Sequence, residues 1–149
     1  MDEPRDRLRC KIVGQTDRAI ALDPDNMRAH YVKSLYLLLT HRWNEALSAA
    51  DAGLAINPNF APLYATRGVA ENSIGRFEQA KSDLQLAMRL SPRDPEIGFR
   101  HNQLGNIELN LGHFDAAIDE YHKAIDAGFR TFIPYVDVLL QAEWASPPF

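Results

Sequence analysis

The chain has 149 residues, of which 46% are hydrophobic and 24% charged, and its formal net charge at pH 7 is −4. Its basic residues are scattered, with no run of lysine or arginine and no aromatic residues interleaved with them, which argues against a nucleic-acid-binding surface. The charged first residues lack the apolar core of a secretory signal, and the longest apolar run, Leu35 to Leu39, is far too short to span a bilayer. We therefore expect a cytoplasmic protein that binds neither nucleic acid nor membrane.

Helical periodicity runs along the whole chain, and proline is confined to the ends of the periodic segments and to loops. The pattern predicts eight helices, which fall near Asp6–Ala21, Met27–Leu39, Trp43–Ile56, Ala61–Ile74, Phe77–Leu90, Glu96–Leu111, Phe114–Ala127 and Phe132–Ala145. The only cysteine, Cys10, lies on the first helix, where we expect a small buried side chain on the packing face. A single cysteine also excludes an internal disulfide.

The prolines mark an internal repeat. Pro24, Pro58 and Pro92 each follow the end of a predicted helix, and each stands 34 residues after the one before. In another phase of the repeat an aromatic residue is followed three positions later by alanine, as in Phe77 and Ala80. A fixed period of this length is typical of stacked helix pairs.

Small residues recur in phase with this repeat. Gly75 and Gly112 stand where one helix must end in a left-handed turn before the next begins, and the stretch Thr40-His41-Arg42 takes this place in the earlier copy. Three more small residues recur inside the first helix of each pair: Ser34, Gly68 and Gly105. Since a glycine inside a helix costs about 1 kcal/mol relative to alanine, we expect close contact between paired helices at these positions.

These residues resemble the tetratricopeptide repeat (TPR) family. The third copy carries the family's positions without a gap: Tyr64, Arg67, Gly68, Phe77, Ala80, Leu84, Ala87 and Pro92. Arg67 replaces the usual first-helix leucine. The fourth copy is delayed, because Ala117 follows Ala80 by 37 residues, which indicates a three-residue insertion between Ser91 and Gly98.

The resemblance implies an all-α fold, a right-handed superhelical solenoid of antiparallel helix pairs, with three full repeats and a half-repeat helix at each end. It implies a single domain over residues 1–149. Its parts are a half repeat (1–26), two repeats (27–60 and 61–94), a repeat with the insertion (95–131), and a terminal helix with its tail (132–149).

The first helix of each pair lines a concave groove in this family, so the resemblance implies a groove for a peptide or helix of a partner protein. The expected lining residues are Arg28, Tyr31, Leu35, Thr66, Val69, Asn72, Asn102, Gln103, Asn106 and Asn110. The same faces also include Val32, Leu39 and Ser73. The clamp that grips chaperone carboxyl termini is not expected, because Tyr31 and Leu35 stand where it needs lysine and asparagine.

Three of these groove residues, Asn102, Asn106 and Asn110, follow one another at a spacing of four and align along one helix face. Each carboxamide offers a donor and an acceptor, so the row could pair with the backbone of an extended peptide without reading its side chains. The alternative is an ordinary solvated helix face.

Motifs for catalysis are missing. The sequence has no glycine-rich phosphate loop, no paired-histidine metal motif and no nucleophile elbow. The nearest ligand cluster is Asp115, Asp119, His122 and Asp126, and an ion pair between Lys123 and Asp119 is the simpler account of it. We therefore predict a protein that is not an enzyme, with no catalytic residue, no cofactor and no metal.

The function expected from the resemblance is that of a non-enzymatic adaptor or scaffold that binds a protein partner. The alternative is a homo-oligomerising assembly or regulatory module, such as the repeat segment of a larger bacterial signalling protein. The last predicted helix supports this alternative, because four large apolar residues recur along it at a spacing of four: Phe132, Val136, Leu140 and Trp144. An unpaired terminal helix with this face could pair with its counterpart in a homodimer, or the tail that follows it could fold back over it.

Overall fold

The computed structural model describes residues 3–130, and within that range the chain is all-α. Its seven helices are α1 (Glu3–Leu22), α2 (Met27–Leu39), α3 (Trp43–Ile56), α4 (Ala61–Ser73), α5 (Phe77–Leu90), α6 (Ile97–Asn110) and α7 (Phe114–Asp126). The predicted bounds of α2, α3 and α5 are confirmed, those of α4, α6 and α7 are met within one residue, and α1 begins three residues earlier than expected. The eighth predicted helix lies outside the described residues.

The helices fall into two compact units, which divide between Leu90 and Ser91. In the first unit α2 pairs with α3 and α4 pairs with α5, and the consecutive first helices α2 and α4 also contact each other. Two further contacts join neighbouring pairs, α1 with α2 and α3 with α4. The second unit contains the pair of α6 and α7. The assignment of the whole chain to a single domain stays a prediction.

A left-handed residue closes the first helix of every pair, as the repeat predicts. The backbone φ angle is +60° at His41, +84° at Gly75 and +78° at Gly112. The residue after each of them donates its backbone N–H to a carbonyl five positions back, and in the second pair the distance from Arg76 N to Glu71 O is 2.9 Å. This arrangement satisfies carbonyls that the helix end would otherwise leave unpaired and turns the chain back on itself.

Close contact between paired helices explains the small residues in the first helices. A Cβ atom at Gly68 would lie 3.0 Å from the carbonyl oxygen of Ala80, and one at Gly105 would lie 2.6 Å from the ring of Tyr121. The contact at Gly105 is too short for a real side chain, and the one at Gly68 would force the neighbouring backbone to shift. In the earlier copy, Ser34 instead uses its hydroxyl, which donates to a backbone carbonyl of α3 at 2.9 Å.

The hydrophobic core lies between the paired helices. Its largest fully buried apolar side chains are Leu37, Leu63 and Leu84 in the first unit and Ile107 in the second. Alanine fills the positions where second helices approach, and Ala46, Ala50, Ala80 and Ala117 have no exposed surface. Such interiors combine small residues on one helix with large ones on the other, which gives close packing.

The loop before α6 carries the delay predicted for the fourth copy. α6 begins seven positions after Leu90, whereas α4 begins only five positions after Ile56. Asp94 organises this loop, because its carboxylate accepts the backbone N–H of Glu96 at 2.9 Å and the Arg100 Nε at 3.3 Å. Two of the three inserted residues therefore lengthen the loop, and the third lengthens α6, which has 14 residues where α4 has 13.

The prediction for Cys10 is wrong, since this side chain is exposed. Within the first unit α1 contacts α2 alone, so only one stripe of α1 is covered. Cys10 lies two residues before Ile12, which places it about 200° around the helix from that partly buried residue. No helix within residues 3–130 is long and apolar enough to cross a membrane.

Candidate functional site

The predicted groove face of α2 is a stripe of four residues at helical spacing: Arg28, Val32, Leu35 and Leu39. Val32 is 39% exposed and Leu39 is 69% exposed, and Leu35 is half-buried. Arg28 is exposed, and it has no ion-pair partner in the described part of the chain. We call these four residues the α2 stripe.

Tyr31 lies beside the α2 stripe but contributes mainly to the core. Its ring meets the ring of Phe60 edge-to-face, with 5.6 Å between centroids, and packs against the cluster of Ala50, Leu54 and Leu63. Such an aromatic contact stabilises the junction of α2 with α4.

The equivalent residues of α4 are more covered than those of α2. Thr66 is buried, and its hydroxyl donates to the carbonyl oxygen of Pro62 at 2.9 Å, within its own helix. Val69 and Asn72 are half-buried, and Ser73 is exposed. The accessible apolar surface of this face therefore lies on α2 and is extended on α4 chiefly by Val69.

The asparagine row of α6 has three different environments. Asn102 is only 3% exposed. Asn106 accepts a hydrogen bond from the Tyr121 hydroxyl at 2.7 Å, so its carboxamide joins α6 to α7. Asn110 is exposed and Gln103 is half-buried. The common spacing of four does not give these side chains a common role.

The sequence interpretation missed a partly buried charge network around Arg67. Arg67 stands where the family has leucine, and its guanidinium donates two hydrogen bonds to the carboxylate of Asp83 on α5 and one, at 2.8 Å, to Asp51 on α3. It also lies 5.2 Å from the centroid of the Tyr64 ring. The hydrogen bonds that the guanidinium donates to Asp83 are the main cause that raises the pKa of Arg67.

The sequence signal for this network is the pair of aspartates placed 16 residues before and 16 residues after Arg67. Both lie on second helices that flank α4, so an arginine in place of the usual leucine can reach both. The network ties three successive helices together, and Asp83, with 11% of its side chain exposed, is its most buried carboxylate.

Glu71 lies one helical turn after Arg67 and is also buried. Its Oε2 atom has no hydrogen-bond partner among the described residues. Desolvation, with the nearby negative charge of Asp83 as a second cause, raises the pKa of Glu71 to about 7. A carboxyl group with this pKa changes charge near neutral pH, but no nucleophile of the described residues accompanies it.

Acidic and basic side chains of the second unit contact one another. Lys123 pairs with Glu120 at 2.6 Å, and not with Asp119 as predicted, while His101 of α6 contacts the other oxygen of Glu120 at 2.7 Å. His113 pairs with Glu108 at 2.8 Å. Within residues 3–130 no three histidine, cysteine, aspartate or glutamate side chains form a cluster that could hold a metal ion.

A cleft of about 440 Å³ opens between α1 and α2. Its lining residues are Ile12, Gln15, Thr16, Ala19, Asn26, Arg28, Ala29 and Val32. We call it the end cleft; it includes the first half of the α2 stripe. The four predicted self-association residues, Phe132, Val136, Leu140 and Trp144, lie outside the described residues.

Comparison with known proteins gives a consistent result. The family model described as "Tetratricopeptide repeat" matches residues 61–94 and 100–127. The small glutamine-rich tetratricopeptide repeat-containing protein 2 of Mycosarcoma maydis is 29% identical over 56% of this chain and 25% of its own length. The TPR repeat-containing thioredoxin TDX of Arabidopsis thaliana is 31% identical over 71% of this chain and 27% of its own length.

Solved structures show the same fold. A MamA fragment from Desulfovibrio magneticus superimposes with a TM-score of 0.68 at 26% identity, over 78% of this chain and 64% of that one. A thermophilic TPR protein of Thermus thermophilus gives a TM-score of 0.72 at 22% identity, over 86% of this chain and 71% of that one. The match spans only about a quarter of the length of the two curated relatives, the Mycosarcoma maydis and Arabidopsis thaliana proteins.

Proposed function

The chain belongs to the tetratricopeptide repeat family, whose fold is a protein-interaction module, and from that premise we propose that it is a non-enzymatic adaptor whose first helices hold a segment of a partner protein. The observation that carries the proposal is the open apolar half of the α2 stripe. Leu39 is 69% exposed and Leu35 is half-buried beside it, on the helix face that the family uses for binding.

Burial of this surface would stabilise a complex. Covering apolar area contributes roughly 25 cal/mol per Å², or about 1.5–3 kcal/mol for a large aliphatic side chain that goes from exposed to fully buried. Val69 of α4 extends the surface beyond Leu35 and Leu39, because α2 and α4 contact each other side by side. An apolar segment of the partner laid across both helices would cover all three residues.

The amide row is proposed as a secondary contribution in the second unit. Asn102 is buried and Asn106 already accepts the Tyr121 hydroxyl, so Gln103 is the half-buried amide that best suits a partner's backbone. The proposal includes a cytoplasmic location. It also takes the partner to be a polypeptide and not a nucleic acid, because the basic residues are scattered.

Affinity capture from a native lysate, with quantitative mass spectrometry, tests the proposal. We expect Leu39→Glu to reduce recovery of the specific partner at least tenfold, because a charge would have to be buried at the interface. Ala52→Glu is the matched control, since Ala52 is exposed on α3, a second helix. Equal loss in both variants, or none in Leu39→Glu, would contradict the assignment of the binding face.

Gln103→Ala tests the amide row separately at its half-buried member, since Asn102 is buried and Asn106 is hydrogen-bonded to Tyr121. If recovery of the partner is unchanged while the variant remains folded by circular dichroism, the row has no part in binding. A lower recovery together with a normal helical signal would support its contribution.

A further inference from the structure

The end cleft between α1 and α2 corresponds by repeat symmetry to a site that is filled elsewhere in the molecule. Shifting each lining residue by the repeat length of 34 gives an equivalent residue in the next copy. These equivalents are Ala46, Ala49, Ala50, Gly53, Phe60, Pro62, Leu63 and Thr66. Six of the eight are buried and the other two are half-buried, and Ala46, Ala50 and Leu63 have no exposed surface.

Helix α2 covers this equivalent site. It contacts both α3 and α4, and the Ser34 hydroxyl donates to the carbonyl oxygen of Ala46 at 2.9 Å. At Gly53 the backbone is approached so closely that an added Cβ would lie 3.2 Å from the Cβ of His30 and 3.6 Å from the sulfur of Met27. The space between α3 and α4 is therefore the seat of a helix.

In the end cleft Thr16 and Ala29 are buried, but the other six positions are half-buried or exposed. Within the first unit α1 contacts α2 alone, and Val32, the equivalent of buried Thr66, is 39% exposed. Ile12 and Ala19 are half-buried where Ala46 and Gly53 are buried. The walls of a helix seat are thus present without a helix of the first unit in it.

From this symmetry we infer that the end cleft binds an amphipathic helix of another polypeptide, which packs on α1 and α2 as α2 packs on α3 and α4. This surface uses α1 and the first half of α2, whereas the proposed adaptor face uses Leu35, Leu39 and Val69. The inference therefore adds a second binding surface to the proposed function.

The contacts that α2 makes in its own seat define the chemistry of the incoming helix. Helix α2 meets its own seat with residues spaced three or four apart: Met27, His30, Ser34 and Leu37. The incoming helix needs a similar apolar and small-residue ridge.

Charge adds a second requirement. Arg28 replaces Pro62 at the rim of the cleft, is exposed, and has no ion-pair partner within residues 3–130. A carboxylate on the edge of the incoming helix would complement this charge, which favours an apolar helix with acidic flanks over a basic one.

A fluorescein-labelled peptide with the sequence of α2, residues 27–39, serves as the probe for binding to the full chain by fluorescence anisotropy. A second probe carries glutamate in place of the peptide's two basic residues. We expect saturable binding of both probes, with at least threefold tighter binding of the acidic one at low salt. We expect Arg28→Glu to reverse that preference.

The variants separate this surface from the adaptor face. Val32→Glu should weaken probe binding at least tenfold, because it places a charge in the apolar wall, whereas Ala55→Glu on the exposed side of α3 should leave it unchanged. Leu39→Glu should also leave it unchanged, so failure of the proposed adaptor face and failure of the end cleft give different results. Circular dichroism of each variant checks folding.

Three outcomes would overturn the inference. The first is no saturable binding of either probe to the wild-type chain. The second is equal weakening by Val32→Glu and Ala55→Glu. The third is a dimer in light scattering that Val32→Glu dissociates, because the cleft would then be covered by a second copy of this chain.

Discussion

Replacement of Arg67 by leucine, the residue that the family usually has at this position, is expected to destabilise this protein. The change removes three hydrogen bonds from the guanidinium, two to Asp83 and one to Asp51. Leucine offers no charge and no hydrogen-bond donor, so Asp83 would remain with 11% of its side chain exposed and without a countercharge. The loss therefore comes from the carboxylate left behind.

The expected magnitude follows from the exposure of each partner. Breaking a buried ion pair by removing one partner costs about 3–5 kcal/mol, and the side chain of Arg67 is 24% exposed, so solvent screening reduces the cost to about 2–3 kcal/mol. Asp51 is 61% exposed, and its bond contributes about 0.2–1 kcal/mol at most. Asp51→Asn is thus a mild control in the same network.

Urea unfolding followed by circular dichroism at 222 nm measures these free energies. A double variant, Arg67→Leu with Asp83→Leu, should recover most of the loss, because well-packed apolar residues can replace a buried ion pair at little cost. If the single variant is as stable as the wild type, or if the double variant is as unstable as the single one, the buried carboxylate is not the cause and the reasoning fails.

Three more stability predictions follow from polar groups and backbone angles. The pKa of Glu71 is raised from 4.5 to about 7. Its contribution to the free energy of unfolding is therefore fully present below the pKa of the unfolded chain and is lost as pH rises through 7. Glu71→Gln should remove from urea titrations a pH dependence of roughly 3 kcal/mol between pH 4.5 and 8. The Tyr36 hydroxyl is buried without a partner among the described residues, whereas the Tyr121 hydroxyl is hydrogen-bonded. Tyr36→Phe should therefore raise the free energy of unfolding by about 1 kcal/mol, and Tyr121→Phe should lower it by about as much. Changes of the same sign in both variants would contradict this. Gly75 has φ +84°, and Gly14 lies in a helix with no neighbour near its missing Cβ, so thermal melts should show Gly75→Ala destabilising by about 1–2 kcal/mol and Gly14→Ala stabilising by about 0.5–1 kcal/mol.

The helices and their turns could be predicted because each carries its own local signal. The 34-residue period fixes the phase, and Gly75 and Gly112 mark the left-handed residues that end two first helices. Gly68 and Gly105 likewise predict the close approach of paired helices, since a glycine inside a helix needs a packing reason.

The side-chain roles could be predicted less well because they depend on which residues face each other across helices. The four-residue spacing aligns Asn102 with Asn106, but only the packing of α7 shows that Tyr121 donates to Asn106. Cys10 is exposed because α1 is covered along one stripe, which a single helix pattern does not reveal. The network around Arg67 could not be predicted for the same reason, since it depends on contacts between three helices.

Site-specific photocrosslinking tests the central claim, that the first-helix face holds a partner polypeptide. A benzophenone amino acid is placed at Leu39 on the α2 stripe and, as a control, at Ala52 on the exposed side of α3, and each protein is irradiated in a native lysate. We expect a specific crosslinked polypeptide from position 39 and none from position 52. Equal crosslinking at both positions, or none at position 39, would contradict it.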